Sequence, residues 1–234
     1  MIDSQIIAAV HQPNFLPWGG FFYKWVKSDI LVFLDDVQFI RRGYSNRVRI
    51  KGPQGERWLT VPVVKKGRYH QRIDEVEIEK DPAWKKKTGG SLRACYGKAP
   101  FFKDYFPPLE EMLQKDHTHL ADMNIALLAW LARQLGIETK TVRASQLPGI
   151  TGESTRRLVS ICRAVEATNY LSGFGGRKYQ DEAIFCENGI ELAVYDFTHP
   201  VYPQLWGDFT PGLSILDLLF NTGPQSRIHL LGHT

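Results

Sequence analysis

Among 234 residues there are only three cysteines, Cys95, Cys162 and Cys186, odd in number and widely spaced. That excludes a disulfide framework and a zinc site built on paired cysteines, and leaves three reduced thiols. No apolar run approaches the ~20 residues that span a bilayer. The N-terminus lacks a basic flank followed by a long apolar core, so no signal peptide is expected and the expected location is cytoplasmic. Repeats and low-complexity stretches are absent, as are a P-loop, a dinucleotide fingerprint and a nucleic-acid-binding motif, so no nucleic-acid partner is expected. His70, His117, His119, His229 and His233 form no HxxxH or HxH-with-carboxylate pattern on one predicted helix face, and His117 and His119, two apart, diverge on a helix. No metal is expected.

What is present is an ordinary globular composition, 43% apolar and 23% charged, with an uneven charge. Residues 41–103 carry 17 Lys and Arg against 6 Asp and Glu, whereas the remainder carries 12 against 19. A basic segment on an acidic body suits an anionic partner: a nucleotide, a nucleotide-linked sugar or an acidic carrier protein.

Short apolar runs alternate with helical patterns. Strands are expected at Gln5–Val10, Ile30–Leu34, Thr139–Arg143, Asn169–Ser172 and Ile190–Tyr195. Helices are expected at Gly20–Ser28, after Pro82, at Leu120–Leu135, Ser154–Val165, Tyr179–Glu187 and Ser214–Asn221. This alternation implies a doubly wound, mainly parallel Rossmann-like α/β sheet of about five strands. Period-two patterns at Arg47–Ile50, Trp58–Val64 and Ile73–Ile78 suggest a small antiparallel unit inserted after the second strand. The whole reads as a single domain over 1–234, with a basic β/helical insertion at about 41–135.

In such a sheet the carboxyl ends of the strands share one edge, where ligands bind. Those ends carry His11 and Gln12, Asp35 and Asp36 with Gln38, Ser172 and Gly173, and Thr198 and His199. Capping and turn roles compete for each of them. His11 and His199 are the acid/base candidates, because imidazole titrates near neutrality. Adjacent carboxylates on an extended chain point apart, so only one of Asp35 and Asp36 need face a cleft. Arg42, Asn46 and Arg47 can hold an anion, and the turn Ser172–Arg177 can present backbone N–H groups. Cys95 and Cys162 fall on helical patterns as small apolar fillers.

Seven segments together resemble the WbqC-like family of bacterial proteins. They are His11–Trp18, Leu34–Phe39, Asn46–Arg47, Leu59–Val63, Tyr170–Gly173, His199–Gln204 and Leu213–Asn221, in order along nearly the whole chain. The resemblance implies a setting in glycan or specialised-metabolite pathways, where sugar amines are acylated. A fold-level similarity to HUP-type nucleotidyltransferases is also visible. There an HxGH motif heads the first helix; here Pro17-Trp18-Gly19-Gly20 stands in its place, without either histidine. That removes the support for adenylyl transfer and leaves Trp18 and the prolines as an apolar wall.

The expected activity is amide formation on an amino sugar or similar amine, from a carrier-protein or coenzyme A thioester and with no tightly bound cofactor. His11 is assigned as base, Asp35 as its orienting partner or an ammonium binder, Ser172–Gly173 as oxyanion support, and His199 as a second acid/base. Gln12, Asn14, Trp18, Asp36, Gln38, Asn46, Arg47, Tyr179, Tyr202 and Gln204 are assigned to substrate. The basic segment would receive the phosphopantetheine-bearing acidic acyl or peptidyl carrier. The alternatives are an ATP-dependent nucleotidyltransferase or ligase, and a non-catalytic binding partner.

Overall fold

The computed structural model describes residues 5–232. In chain order the elements are β1 (Ile7–His11), α1 (Gly19–Val26), β2 (Ile30–Phe33), β3 (Arg47–Gly52), β4 (Gly55–Thr60), α2 (Ala83–Tyr96), α3 (Phe102–Gln114) and α4 (Leu120–Gln134). They continue with β5 (Lys140–Arg143), α5 (Ser154–Ala164), β6 (Asn169–Gly173), α6 (Phe174–Arg177), α7 (Glu182–Glu187), β7 (Glu191–Tyr195), α8 (Ile215–Thr222) and α9 (Ser226–Leu231).

Two compact units share the chain. The first takes the residues up to Gln12, Phe22–Asp36 and Ile137–Thr198; the second takes Pro13–Phe21, Val37–Gly136 and the chain from His199 onward. The first unit holds a five-stranded parallel sheet in the order β5-β2-β1-β6-β7, a Rossmann-like arrangement. Its three inner strands β2, β1 and β6 are short and largely buried, as befits strands covered on both faces, whereas the edge strands β5 and β7 carry Lys140, Arg143 and Glu191 and are partly exposed. On one face Ala8, Val10, Ile30, Val32 and Tyr170 pack with Val159, Ile161 and Cys162 of α5 and Phe185 of α7. Period two sends Phe33 to the other face, where Trp25 of α1 meets its ring edge-on at 5.7 Å. The expected sheet and its inserted antiparallel unit are therefore present.

The register puts the carboxyl ends level. His11 pairs with Phe33, Phe33 with Arg143, and Gly173 with Tyr195. Ala9 pairs with Leu171, so two residues further on His11 is level with Gly173.

In the second unit β3 and β4 form an antiparallel hairpin. The third expected strand is absent. Ile73–Glu75 is a 3-10 turn, and Val63 and Ile78 make only an isolated bridge. The Glu75 carboxylate accepts from the Arg72 N–H and Asp74 pairs with Arg72, which are local bonds that compete with a ladder. Pro62 also ends β4 before Val64, since it has no N–H to give a ladder. Helix α3 was not evident in the sequence because it contains Pro107 and Pro108. It persists on a buried stripe of Phe102, Phe106, Leu109 and Leu113.

Candidate functional site

His11 closes β1, the central strand, at the edge where α/β sheets bind ligands. Its Nδ1 lies 3.0 Å from the Gln12 carbonyl oxygen. A carbonyl only accepts, so Nδ1 carries the proton and Nε2 is the basic nitrogen. Burial and the nearby Lys24 charge push the imidazole pKa down to about 4. His11 is therefore neutral across the physiological range.

Asp35 is fully buried just past β2, and its partners differ from those expected. One oxygen accepts from the Ser145 N–H at 3.0 Å; the other accepts from Arg143 Nε at 2.5 Å and Ser145 Oγ at 2.8 Å. These bonds tie the end of β2 to the end of β5, in place of an orienting bond to His11. Asp36 pairs with Arg157 of α5. The neighbouring carboxylates, expected to divide between cleft and cap, are thus both committed to arginines. They lie beyond the end of β2, so strand alternation does not govern them.

Lys24 escaped the sequence reading, because it sits on an otherwise apolar helix among ordinary surface lysines. It is 4% exposed, its Nζ donating to the Val10 carbonyl at 2.8 Å and lying 5.5 Å from the Tyr170 ring centroid. Burial lowers its pKa to about 7. Burial raises the Cys162 thiol to about 12, so this cysteine is an inert filler. Ser172 is buried, its hydroxyl donating to the Gly173 carbonyl at 3.1 Å. Tyr179 lies before α7 rather than in it, exposed, with Lys178 Nζ 4.8 Å from its ring.

His199 does not close a strand: β7 stops at Tyr195, and His199, followed by Pro200, belongs to the second unit. There its ring lies tilted against that of Trp18, centroids 5.1 Å apart, and it accepts at Nδ1 from the Gly212 N–H at 3.3 Å. Its tautomer is thus opposite to that of His11, with Nε2 protonated, and burial and Arg49 lower its pKa. The loop bearing Trp18 is held throughout its length. Asn124 Nδ2 donates to the Pro13 and Ser45 carbonyls at 2.8 and 2.7 Å, and Ser214 Oγ to Leu16 at 2.8 Å. The Phe15 and Ile215 N–H groups bond to the Tyr44 and Pro17 carbonyls. Asn14 is buried in the same loop. A Cβ on Gly20 would fall 2.2 Å from the Trp18 ring, so this glycine is dictated by the indole.

Tyr202 and Gln204 join a buried network. Tyr202 donates to Asp217 Oδ1 at 2.9 Å, Gln204 Nε2 lies 3.3 Å from the Tyr202 hydroxyl, and Lys51 Nζ donates to Gln204 Oε1 at 3.1 Å. Burial raises the Asp217 pKa and that of Tyr202. Asn46 is buried, its Nδ2 donating to Val61, while Arg47 stacks on exposed Trp58 at 4.1 Å and donates to the Arg42 carbonyl. Gln38 is exposed and bridges to Arg72. Gln12 is half-buried. Among the described residues no three His, Cys, Asp or Glu side chains are grouped to hold a metal ion, and no helix is long and apolar enough to cross a membrane.

The model of the WbqC-like protein family matches residues 12–229. An uncharacterized protein of Mycobacterium tuberculosis is 38% identical over 226 residues, covering 95% of this chain and 96% of its own. No solved structure matches.

Proposed function

The chain belongs to the WbqC-like protein family, and from that premise we propose that it transfers an acyl group from a carrier-protein or coenzyme A thioester to the amine of an amino sugar or similar acceptor. The observation that carries this reading is His11: a neutral imidazole at the end of the central parallel strand, its Nδ1 proton fixed on the Gln12 carbonyl. The acceptor nitrogen attacks the thioester carbonyl carbon and forms the C–N bond, and Nε2 takes the proton the nitrogen sheds. Collapse of the tetrahedral oxyanion breaks the C–S bond, and the departing thiolate takes that proton from the imidazolium. Amide and free thiol result, with no nucleotide consumed. Positioning and general-base catalysis supply the rate.

Asp35 enters this scheme as the tie that fixes the β2 end, and the backbone at Ser172–Gly173 as support for the oxyanion. In the second unit Trp18 and His199 form an aromatic ledge suited to a sugar face or a pantetheine arm. The region of exposed Arg42 and Trp58, with half-buried Arg47 between them, suits an acidic carrier surface.

The test is mass spectrometry of reactions containing a panel of acyl-coenzyme A thioesters and a nucleotide-linked amino sugar, with and without ATP and magnesium. Acylated amine and free thiol are expected without ATP, and His11→Ala should slow the reaction by about 10²–10⁴-fold, the usual worth of a general base. Release of AMP or pyrophosphate coupled to product would overturn the proposal in favour of a ligase.

A further inference from the structure

Lys24 is a buried ammonium whose hydrogen-bonding capacity is mostly unused. Three N–H donors are available to it. Among the described residues the Val10 carbonyl is its one acceptor, with the Tyr170 ring face 5.5 Å away. A buried charge of this kind is normally paired with a carboxylate. Of the carboxylates just beyond the strands, Asp35 is spent on Arg143 and Ser145 and Asp36 on Arg157, while Asp196, which follows β7, is exposed to solvent. No carboxylate pairs with Lys24 among the described residues.

We propose that Lys24 is the seat of an anionic ligand oxygen, from a carboxylate or a phosphate, bound beside His11 at the carboxyl end of β1. The position supports this, because Val10 and His11 are the last two residues of β1, and His11 is only half-buried. The charge of Lys24 reaches His11 and depresses its basicity. An anion on Lys24 cancels that charge and makes His11 a stronger base. The site thus couples ligand arrival to the readiness of the base, a refinement that rests on the acyl-transfer reading only through His11.

The titratable groups facing Lys24 are His11 on β1, Cys162 on α5 and Tyr170 on β6. His11 is neutral above about 4, while the thiol and the phenol, raised by burial, stay protonated up to alkaline pH. Lysine ionisation therefore governs anion binding between these limits. With the Lys24 pKa lowered to about 7, affinity should fall about tenfold per pH unit above neutrality.

Titration of the whole protein with inorganic phosphate and separately with acetate, followed by calorimetry and by the His11 ring resonances, tests this. One or both anions should bind, weaken as pH rises from 7 to 9, and raise the His11 pKa. Tighter phosphate points to a phosphorylated substrate, tighter acetate to a carboxylate. Lys24→Met should raise the His11 pKa without any anion and abolish the response. If that variant does not fold, the response of His11 in the wild type decides alone. Absence of binding by both anions, or equal binding by Lys24→Met, would overturn the proposal. Acyl transfer without anion binding would sink this site and leave the proposed function standing; the converse result would do the reverse.

Discussion

His11 and His199 show how far residue type carries and where geometry takes over. Both stood out in the sequence as imidazoles in polar stretches, yet their proton positions depend on the Gln12 carbonyl and the Gly212 N–H, which no local pattern encodes. The lowered pKa of His11 has a kinetic consequence. Its acid limb in kcat/KM for acyl transfer should fall near 4, where an exposed histidine would place it near 6.5. A pH–rate profile reads this directly. At Gly20 the sequence displayed a glycine at the head of a helix, but its cause is the Trp18 indole lying across it. Gly20→Ala should cost about 1–3 kcal/mol by overpacking and shift the Trp18 fluorescence, both measurable in urea melts. Lys24 was invisible among 29 basic residues, since burial is a property of the fold.

At the level of elements, alternation of apolar strands with amphipathic helices was legible because each period is local. Partnerships spanning a hundred residues were not. The bond from Arg143 to Asp35 ties β5 to β2 and occupies a carboxylate that the sequence pattern assigned to the site. Arg143→Met should leave that fully buried carboxylate without its counter-charge and lower stability by about 3–5 kcal/mol, seen as a reduced urea midpoint. Helix α3 was hidden by its two prolines, and the strand expected at Ile73–Ile78 was displaced by side-chain bonds around Arg72. In both places a strong local signal yielded to another: buried aromatics over proline, capping over β-propensity.

For the molecule as a whole, the parallel sheet and the inserted hairpin followed from the order of patterns. The division into two units interleaved along the chain did not, because the crossings occur within α1 and in loops without a compositional break. Global stability should carry the signature of Lys24. Its folded pKa of about 7 lies below the usual 10.5, so between these values the unfolded chain holds more protons and stability rises with pH. The cost is fully present below 7. Above about 9 the buried Cys162 and Tyr170, whose folded pKa values are raised, reverse the slope. Urea unfolding from pH 7 to 9 should therefore show increasing stability in the wild type and a flat profile in Lys24→Met.

Everything proposed for catalysis turns on His11 as a neutral base with its proton on Nδ1. Two-dimensional ¹H–¹⁵N spectra of the imidazole nitrogens across pH 3–8 test that state most directly. A protonated Nδ1, an unprotonated Nε2 and a titration midpoint near 4 are expected. A midpoint near 6.5, or a proton on Nε2 at neutral pH, would contradict it.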